Sequence, residues 1–184
     1  MIVWLNGAFG GGKTTTAALL RARCDGSVIA DPESIGDLLR TTLNQHPSRR
    51  RDYQDYRMWR VLVAALCLEL DRYTHGGPVI VPMTLLRQDY ATDIFQQLET
   101  ADIEVRHLLL HADSATIADR IRSSMEFPGS EEKSEQVRQF RRRKLPDYVQ
   151  AYGAWLHGGA EVIDTSGLNP DQVSARALDL LRSS

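Results

Sequence analysis

Short apolar runs alternate with longer segments of helical periodicity along this chain. These runs are three to seven residues long. Runs of this kind predict strands at Ile2–Leu5, Ser27–Ala30, Val79–Met83, Val105–His111 and Glu161–Ile163. The segments between them carry apolar residues at helical spacing, as in 14–23, 88–100 and 114–124. Alternation of strand and helix is typical of an α/β protein, in which helices flank a parallel sheet.

Capping and breaking residues predict where several elements begin and end. Asp31 precedes Pro32, which is the arrangement of an N-cap followed by proline at the first helical position. Asn169 and Gln172 form the signature of a capping box before the last helix. Proline cannot donate to a ladder, so Pro82 is expected at the C-terminal edge of the third strand.

Two regions are assigned mainly from the residues that interrupt regular secondary structure. A long helix is predicted from Tyr53 to Tyr73, because His75-Gly76-Gly77-Pro78 stops it. The polar stretch 123–134 is predicted as a loop, and a basic helix follows at Glu135–Arg143 and leads past Pro146 to Trp155.

Composition is ordinary for a globular protein and narrows the class of function. The length of 184 residues predicts a single domain, 1–184, and the net charge of −2 argues against a nucleic-acid partner. No apolar run approaches the ~18 residues of a membrane span, and no signal peptide is apparent. Cys24 and Cys67 are expected to be reduced thiols, so we expect a cytoplasmic protein.

One motif carries chemistry of its own. After the first strand the sequence reads G-x-x-x-x-G-K-[ST], the Walker A or P-loop pattern. Glycines let backbone N–H groups surround a phosphate, and the following helix directs its free N–H groups at the same anion. Lys13 is predicted to reach the β- and γ-phosphates of ATP, and the Thr14 hydroxyl to hold Mg²⁺. The predicted ATP-binding residues are Gly7, Ala8, Phe9, Gly10, Gly11, Gly12, Lys13, Thr14 and Thr15.

Four longer segments of the sequence resemble one protein family. They are Val3–Gly10, Asp31-Pro32-Glu33, Tyr56-Arg57-Met58-Trp59-Arg60 and Val79–Thr84, and together they resemble the tunicamycin resistance proteins. That family is similar in plan to nucleoside, shikimate, gluconate and chloramphenicol kinases. The resemblance covers most of the chain and is weakest over 123–134. It implies a P-loop NTPase of nucleoside-kinase-like fold, with five parallel strands, a mobile arginine-bearing lid at about 120–143 and an acceptor pocket beside the helices that follow the second and third strands.

The resemblance also suggests catalytic groups. Similar kinases carry a carboxylate at the end of the second strand, which makes Asp31 the candidate general base. Asp before Pro is also a good N-cap, and Glu33 is the substitute candidate. Arg120 and Arg122 match the place where similar kinases hold adenine or phosphates with arginine.

Arginines further along lie beside the predicted lid. Arg138, Arg141 and Arg142 share one helix face, and one of them is a candidate to meet transition-state charge; a solvated helix face is the alternative.

Aromatic residues next to arginines suggest an acceptor site. Such neighbours suit a base or sugar ring with polar groups near it. The alternative is that Trp59 is core and that the arginines pair with Asp52, Asp55 or Glu69. Met83 and Thr84 are placed in the pocket by the resemblance. The predicted acceptor residues are Glu33, Arg40, Arg57, Trp59, Arg60, Met83 and Thr84, with Tyr56 beside them.

The strand Val79–Met83 departs from the usual pattern. It has no acidic residue where many P-loop enzymes place a second Mg²⁺ carboxylate. Either water, Asp31 or Glu33 completes the metal shell, or metal binding is weaker than in a typical ATPase.

Together these observations predict an ATP- and Mg²⁺-dependent phosphotransferase acting on a hydroxyl of a small molecule. By resemblance the acceptor is the uridine-containing antibiotic tunicamycin, and its phosphorylation would give resistance. The alternatives are an ATP-binding protein that sequesters the drug without chemistry, and a housekeeping nucleoside or sugar kinase.

Overall fold

Five parallel strands form the centre of the molecule. The computed structural model describes residues 1–183; Ser184, the last residue of the predicted domain, lies outside them. The strands are β1 (Ile2–Gly7), β2 (Val28–Ile29), β3 (Val79–Pro82), β4 (Val105–His111) and β5 (Glu161–Asp164). Their order is β2-β3-β1-β4-β5 and every pairing is parallel, which confirms the predicted fold class.

Helices connect the strands in the predicted alternation. They are α1 (Lys13–Arg21), α2 (Pro32–Thr42), α3 (Arg57–Thr74), α4 (Gln88–Glu99), α5 (Ser114–Ser123), α6 (Glu131–Ala151), the short turn α7 (His157–Gly159) and α8 (Pro170–Arg182). The predicted caps are confirmed: Asp31 accepts from Glu33 N, and Asn169 forms a capping box with Gln172.

The two faces of the sheet build two halves of the core, because side chains alternate along a strand. Ile2 and Trp4 of β1 pack in the cluster that contains the buried residues of α3 and α4. Val3 and Leu5 pack in the other cluster, with Ala17 and Leu20 of α1 and with α8. All four β1 side chains are buried, as expected for a central strand covered on both faces.

Pro82 is the last residue of β3, as predicted. Ala30 N donates to Ile80 O, and Met83 N donates to Leu5 O, so Pro82 faces the side of β2 rather than β1. Because β2 ends at Ile29, the proline nitrogen meets no further strand residue there.

The predicted helix Tyr53–Tyr73 is two elements. A 3₁₀ turn covers Tyr53–Asp55, and α3 begins at Arg57 after an extended Tyr56 (φ −80°, ψ 122°). The break is held locally, because the Asp52 carboxylate caps the turn and the Tyr56 hydroxyl accepts from Arg50 N.

The end of the predicted loop 123–134 belongs to the basic helix, which is longer than predicted, while residues 124–130 are a loop. α6 begins at Glu131 and contains Pro146, and it continues through a π-helical segment at Tyr152–Leu156 into α7. Its early start is stabilised by Arg138, which is buried and paired with Glu131 and Glu135. Ser134 Oγ accepts from Phe127 N at 3.1 Å and so fixes the preceding loop.

Both cysteines are free thiols; Cys67 is buried and Cys24 is half-buried. Over residues 1–183, no helix has the length and apolarity needed to cross a membrane.

Candidate active site

The loop between β1 and α1 has the shape of a phosphate cradle. Gly10 and Gly12 have φ values of +78° and +90°, which L side chains rarely adopt. Gly11 turns tightly enough for its N–H to reach Ala8 O at 3.0 Å. Gly12 is a fixed glycine of the motif, whereas Gly10 occupies one of its variable positions and needs glycine for its backbone conformation.

The beginning of α1 is left open to an anion. No side chain caps the helix at Gly12, and its first turn has no acidic residue. A Cβ added at Gly12 would meet nothing within 4 Å. Thr14 and Thr15 are exposed there. Free N–H groups with an unopposed helix dipole fit the phosphates of ATP, and the accessible Thr14 hydroxyl fits Mg²⁺.

Lys13 folds back over the loop. Its Nζ donates to Ala8 O at 2.8 Å and to Gly7 O at 3.2 Å. Burial of this ammonium end lowers the Lys13 pKa to about 7, with Glu33 opposing the shift and Arg141 adding to it. Anionic phosphates at the loop would reverse the shift, so Lys13 is set to gain a proton when they bind.

The side chain of a buried asparagine, Asn6, hydrogen-bonds the first residue of the phosphate loop. The sequence patterns did not indicate this role. Asn6 Oδ1 accepts from Gly7 N at 2.8 Å and Leu85 N at 3.0 Å, and Nδ2 donates to Leu85 O at 2.9 Å. Nδ2 also faces His107 Nε2 at 3.2 Å, and burial lowers the His107 pKa to about 4, so the ring is neutral. This network ties the start of the loop to β4 and to the segment after β3.

Arg120 borders a small cavity behind the cradle. The cavity of about 190 Å³ is lined by Gly10, Gly11, Gly12, Thr15, Thr16, Arg120, Thr165, Leu168, Pro170 and Val173. Arg120 is held by two donations to Thr165, at 2.9 Å to Oγ1 and 2.6 Å to the carbonyl. Its position beside the loop suits the base and sugar of a nucleotide. Arg122 lies elsewhere, exposed and paired with Asp119, and it does not line this cavity.

A larger cavity of about 710 Å³ opens on the other side of the loop. Phe9 of the loop and Glu33 of α2 form part of its wall. The remaining lining residues are Arg40, Arg51, Asp52, Tyr53, Gln54, Asp55, Thr84, Leu86, Arg87, Tyr90, Phe140, Lys144, Asp147, Gln150, Ala151, Ala154 and Trp155. Its wall therefore combines aromatic rings with charges of both signs.

The two candidate carboxylates have different surroundings. Asp31 Oδ1 accepts from Glu33 N at 2.9 Å, so this carboxylate caps α2, and it is not part of the cavity wall. Glu33 lines the cavity, and partial burial raises its pKa, with Asp31 raising it further and Lys13 opposing. The geometry brings Glu33, rather than Asp31, to the cavity.

Only some of the predicted acceptor residues face this cavity. Glu33, Arg40 and Thr84 line it. Trp59 and Met83 are buried in the core, where Trp59 Nε1 donates to Pro32 O. Trp59 is thus a core residue, as in the alternative. The partners in that alternative were different, because Arg60 pairs with Asp93 and Arg40 with Asp37.

Arg57 and Arg60 lie on a different surface. They line a separate groove between α3 and α4. Arg60 pairs with Asp93 at 2.8 Å and lies over the Tyr90 ring at 4.2 Å from its centroid. Both arginines lie beside α4 and neither lines the larger cavity.

The sequence reasoning missed one whole wall of the cavity. This wall is formed by α6 and the π-helical segment, through Phe140, Lys144, Asp147, Gln150, Ala151, Ala154 and Trp155. The recurrence of these positions every three or four residues was available in the sequence. It is weak because the helix is polar on most sides.

The three candidate lid arginines have different partners. Arg138 is buried and bonded to Ser124 O, Glu131 and Glu135. Arg142 is exposed and paired with Glu135. Arg141 pairs with Glu126 at 2.6 Å and is the one of the three whose charge acts on Lys13. Within residues 1–183 no three His, Cys, Asp or Glu side chains cluster as a metal site.

Solved structures with this fold include several kinases. The tunicamycin resistance protein of Deinococcus radiodurans aligns with 98% of this chain and 94% of its own, at 24% identity and a TM-score of 0.69. A sugar kinase from Janibacter sp. HTCC2649 aligns with 98% of this chain and 93% of its own, at 21% identity and a TM-score of 0.62. An APS kinase from Mycobacterium tuberculosis, solved with AMPPNP and APS, aligns with 99% of this chain and 97% of its own, at 16% identity and a TM-score of 0.53.

These likenesses confirm the resemblance to tunicamycin resistance protein at the level of the fold. Comparison with curated proteins gives no match. Residues 2–145, most of the chain, match the AAA domain family. The chain therefore belongs to the AAA domain family, and its fold is that of the P-loop kinases.

Proposed function

We propose that this protein transfers the γ-phosphate of ATP to a hydroxyl of a small molecule bound in the 710 Å³ cavity. The observation that carries the proposal is the shared wall between the two sites. Phe9 belongs to the phosphate loop and also lines the cavity, and Glu33 of the cavity is the acid that acts on Lys13. A hydroxyl beside Glu33 would therefore lie next to the phosphates held by Lys13.

The proposed mechanism relies on position and charge. The amides of Gly10–Lys13 and the Lys13 ammonium hold the phosphates, and Arg120 borders the nucleotide. Mg²⁺, held by Thr14, would neutralise phosphate charge. A carboxylate at the end of β2 accepts the hydroxyl proton; Glu33 takes this role in the proposal because it lines the cavity, and Asp31 is the second candidate.

Arg141 is the proposed lid arginine. It already lies close enough to act electrostatically on Lys13, whereas Arg138 is committed to three buried partners. An arginine that approaches the transferring group stabilises the charge that develops on it.

The proposed acceptor is a nucleoside-type molecule such as tunicamycin, and its phosphorylation would give resistance. Two observations support this choice. The Deinococcus radiodurans protein of similar fold is a tunicamycin resistance protein, and several sequence segments of this chain resemble that family. The aromatic and polar lining suits a molecule with both rings and hydroxyls. A cytoplasmic location and a single domain with a mobile lid remain part of the proposal.

Sequestration of the drug without chemistry is the competing function. A cavity of this size accommodates a small-molecule ligand in either case. The two functions differ in turnover, since only the kinase releases ADP when the acceptor is added.

The test measures ADP release from MgATP with tunicamycin, uridine or simple sugar alcohols as acceptor. We expect stimulation by the preferred acceptor and the highest kcat/KM for it, and loss of stimulation in Lys13→Ala. Tight acceptor binding without ADP release would favour sequestration. A higher kcat/KM for uridine or a sugar alcohol would favour a housekeeping kinase.

A further inference from the structure

The two carbonyl groups that hold Lys13 in the free protein each have a second donor. Lys13 Nζ donates to Gly7 O at 3.2 Å and to Ala8 O at 2.8 Å. Ala8 O also accepts from Gly11 N at 3.0 Å, within the phosphate loop. Gly7 O also accepts from Thr84 Oγ1 at 2.9 Å, and this donor comes from outside the loop. A carbonyl oxygen has two lone pairs, so both oxygens are fully used.

At Gly7 a side chain takes the place of a backbone donor. The pairing of β1 with the segment after β3 ends where Met83 N donates to Leu5 O. Bonds of a parallel ladder recur at every second residue, so the next one would join Leu85 N to Gly7 O. Leu85 N instead donates to the side chain of Asn6. The threonine hydroxyl therefore pairs a carbonyl that the ladder leaves out.

The segment that carries Thr84 is fixed by side chains of other elements. The carbonyls of residues 83–86 all accept from side chains, and the donors are, in order, Trp4, Gln54, Asn6 and Trp155. Buried backbone groups of an irregular segment need partners of this kind. The Thr84 side chain is itself only 3% exposed. We therefore expect its hydroxyl to keep the bond to Gly7 O whether or not a nucleotide is bound.

Phosphate binding changes the pairing of these carbonyls. When Lys13 turns to the phosphates of ATP, it leaves the oxygens of Gly7 and Ala8. Both residues are buried, and a buried carbonyl without a donor costs free energy. The second donors remove this cost, because each oxygen keeps one hydrogen bond after the lysine has gone.

We infer that Thr84 is a positioning residue for the nucleotide, whose hydroxyl keeps Gly7 O paired so that Lys13 can leave it for phosphate. The inference rests on the ATP binding of the proposed function and deepens it. Thr84 thus acts toward the phosphate loop although it also lines the acceptor cavity. Its one hydroxyl hydrogen is used by Gly7 O, so it can offer an acceptor molecule only lone pairs.

The first test is calorimetric titration with a non-hydrolysable ATP analogue and Mg²⁺. In Thr84→Val the shape of the side chain is kept and Gly7 O depends on Lys13 alone. We expect the Kd of the analogue to rise on the order of tenfold, the usual cost of a buried acceptor left unpaired. Thr84→Ser should restore the Kd to within about twofold of the wild type. Thr100→Val, which removes an exposed hydroxyl that donates to Gln96 O, is the matched control and should leave the Kd unchanged.

The second test separates this role from simple packing and needs no nucleotide. Lys13→Met keeps an apolar stem but offers no donor to Gly7 O. In that background Thr84→Val leaves the carbonyl without any donor, so it should lower the urea midpoint at least twice as much as it does in the wild type. Equal losses in both backgrounds would mean that Thr84 acts independently of Lys13, and would overturn the inference.

The outcomes separate this inference from the proposed function. If the wild type phosphorylates an acceptor but Thr84→Val binds the analogue as the wild type does, or serine fails to restore binding, the role of Thr84 is wrong and the kinase stands. If Thr84→Val weakens binding, serine restores it and the wild type transfers no phosphate, the kinase is wrong and the role of Thr84 stands. If Thr84→Val does not fold, Thr84→Ala, which also lacks the hydroxyl, replaces it in both tests.

Discussion

Lys13 shows how burial can prepare one residue for an anionic ligand. Its ammonium end is held by the carbonyls of Gly7 and Ala8, which are weak substitutes for phosphate. The resulting pKa of about 7 means that the Lys13 amine changes its charge near neutral pH. Nucleotide binding should raise the pKa and recruit a proton.

The first prediction is proton uptake on nucleotide binding. At pH 8 we expect binding of MgATP to take up close to one proton, and the apparent affinity to fall up to tenfold per pH unit above pH 7, because the charged lysine must first be formed. Calorimetry in two buffers of different ionisation enthalpy measures the uptake.

Lys13→Arg is the matched control, since arginine stays charged throughout this range. Any uptake that remains in this variant belongs to other groups. Equal uptake in the variant and the wild type would contradict the assignment to Lys13.

The second prediction separates the two carboxylates. Glu33→Gln should lower kcat by about 10²- to 10⁴-fold, the usual contribution of a general base. Asp31→Asn should change kcat by less than about threefold, because asparagine caps a helix as well as aspartate does. Steady-state rates of both variants, with circular dichroism to confirm folding, decide the matter.

The pH profile gives a second readout for Glu33. Since the base works when ionised, kcat should fall as the pH falls through the raised pKa of Glu33. That limb should vanish in Glu33→Gln. A larger loss in Asp31→Asn would return the base role to Asp31.

At the scale of elements, α6 is the part of the molecule that sequence patterns described least well. Pro146 and the polar stretch before Glu135 both indicated breaks, yet the helix runs from Glu131 to Ala151. Tertiary partners override these local signals: Arg138 pairs with two glutamates, and Tyr148 and Ala151 pack beside Ile117 and Ile121 of α5.

The third prediction follows from Pro146 inside α6. Proline lacks the N–H that would donate to Arg142 O, and it costs up to about 3 kcal/mol inside a helix. We expect Pro146→Ala to raise the free energy of unfolding by about 1–3 kcal/mol, as measured by urea denaturation. Arg143→Ala, an exposed change in the same helix, should stay within about 0.5 kcal/mol. A destabilised Pro146→Ala would mean that the proline conformation is itself part of the packing.

The elements near the nucleotide were predictable and those near the acceptor were not. β1, the P-loop and the caps of α2 and α8 follow from local patterns whose geometry is nearly invariant. The acceptor side depends on the break at Tyr56, which local contacts of Asp52 and Arg50 hold although the helical pattern of the sequence runs through it, and on α6 with its π-helical segment, whose polar sequence shows little amphipathic pattern. Arg57 and Arg60 line the groove beside α4 rather than the cavity.

At the scale of the whole molecule, two sites share one edge of the sheet. The nucleotide side is built from β1, α1 and the segment before α8, and the acceptor side from α2, the 3₁₀ turn and α6. Asn6 lies beneath both, because it binds the start of the phosphate loop and the segment after β3 that carries Thr84 and Leu86. This arrangement supports phosphoryl transfer better than storage of a ligand.

Mass spectrometry of tunicamycin after incubation with the protein and MgATP tests the central claim most directly. We expect a mass increase of one phosphoryl group, which is lost in Lys13→Ala and forms much more slowly in Glu33→Gln. Fragmentation would then identify the hydroxyl that received the phosphate. An unchanged mass, despite measured binding of both ATP and tunicamycin, would contradict the account and leave sequestration as the function.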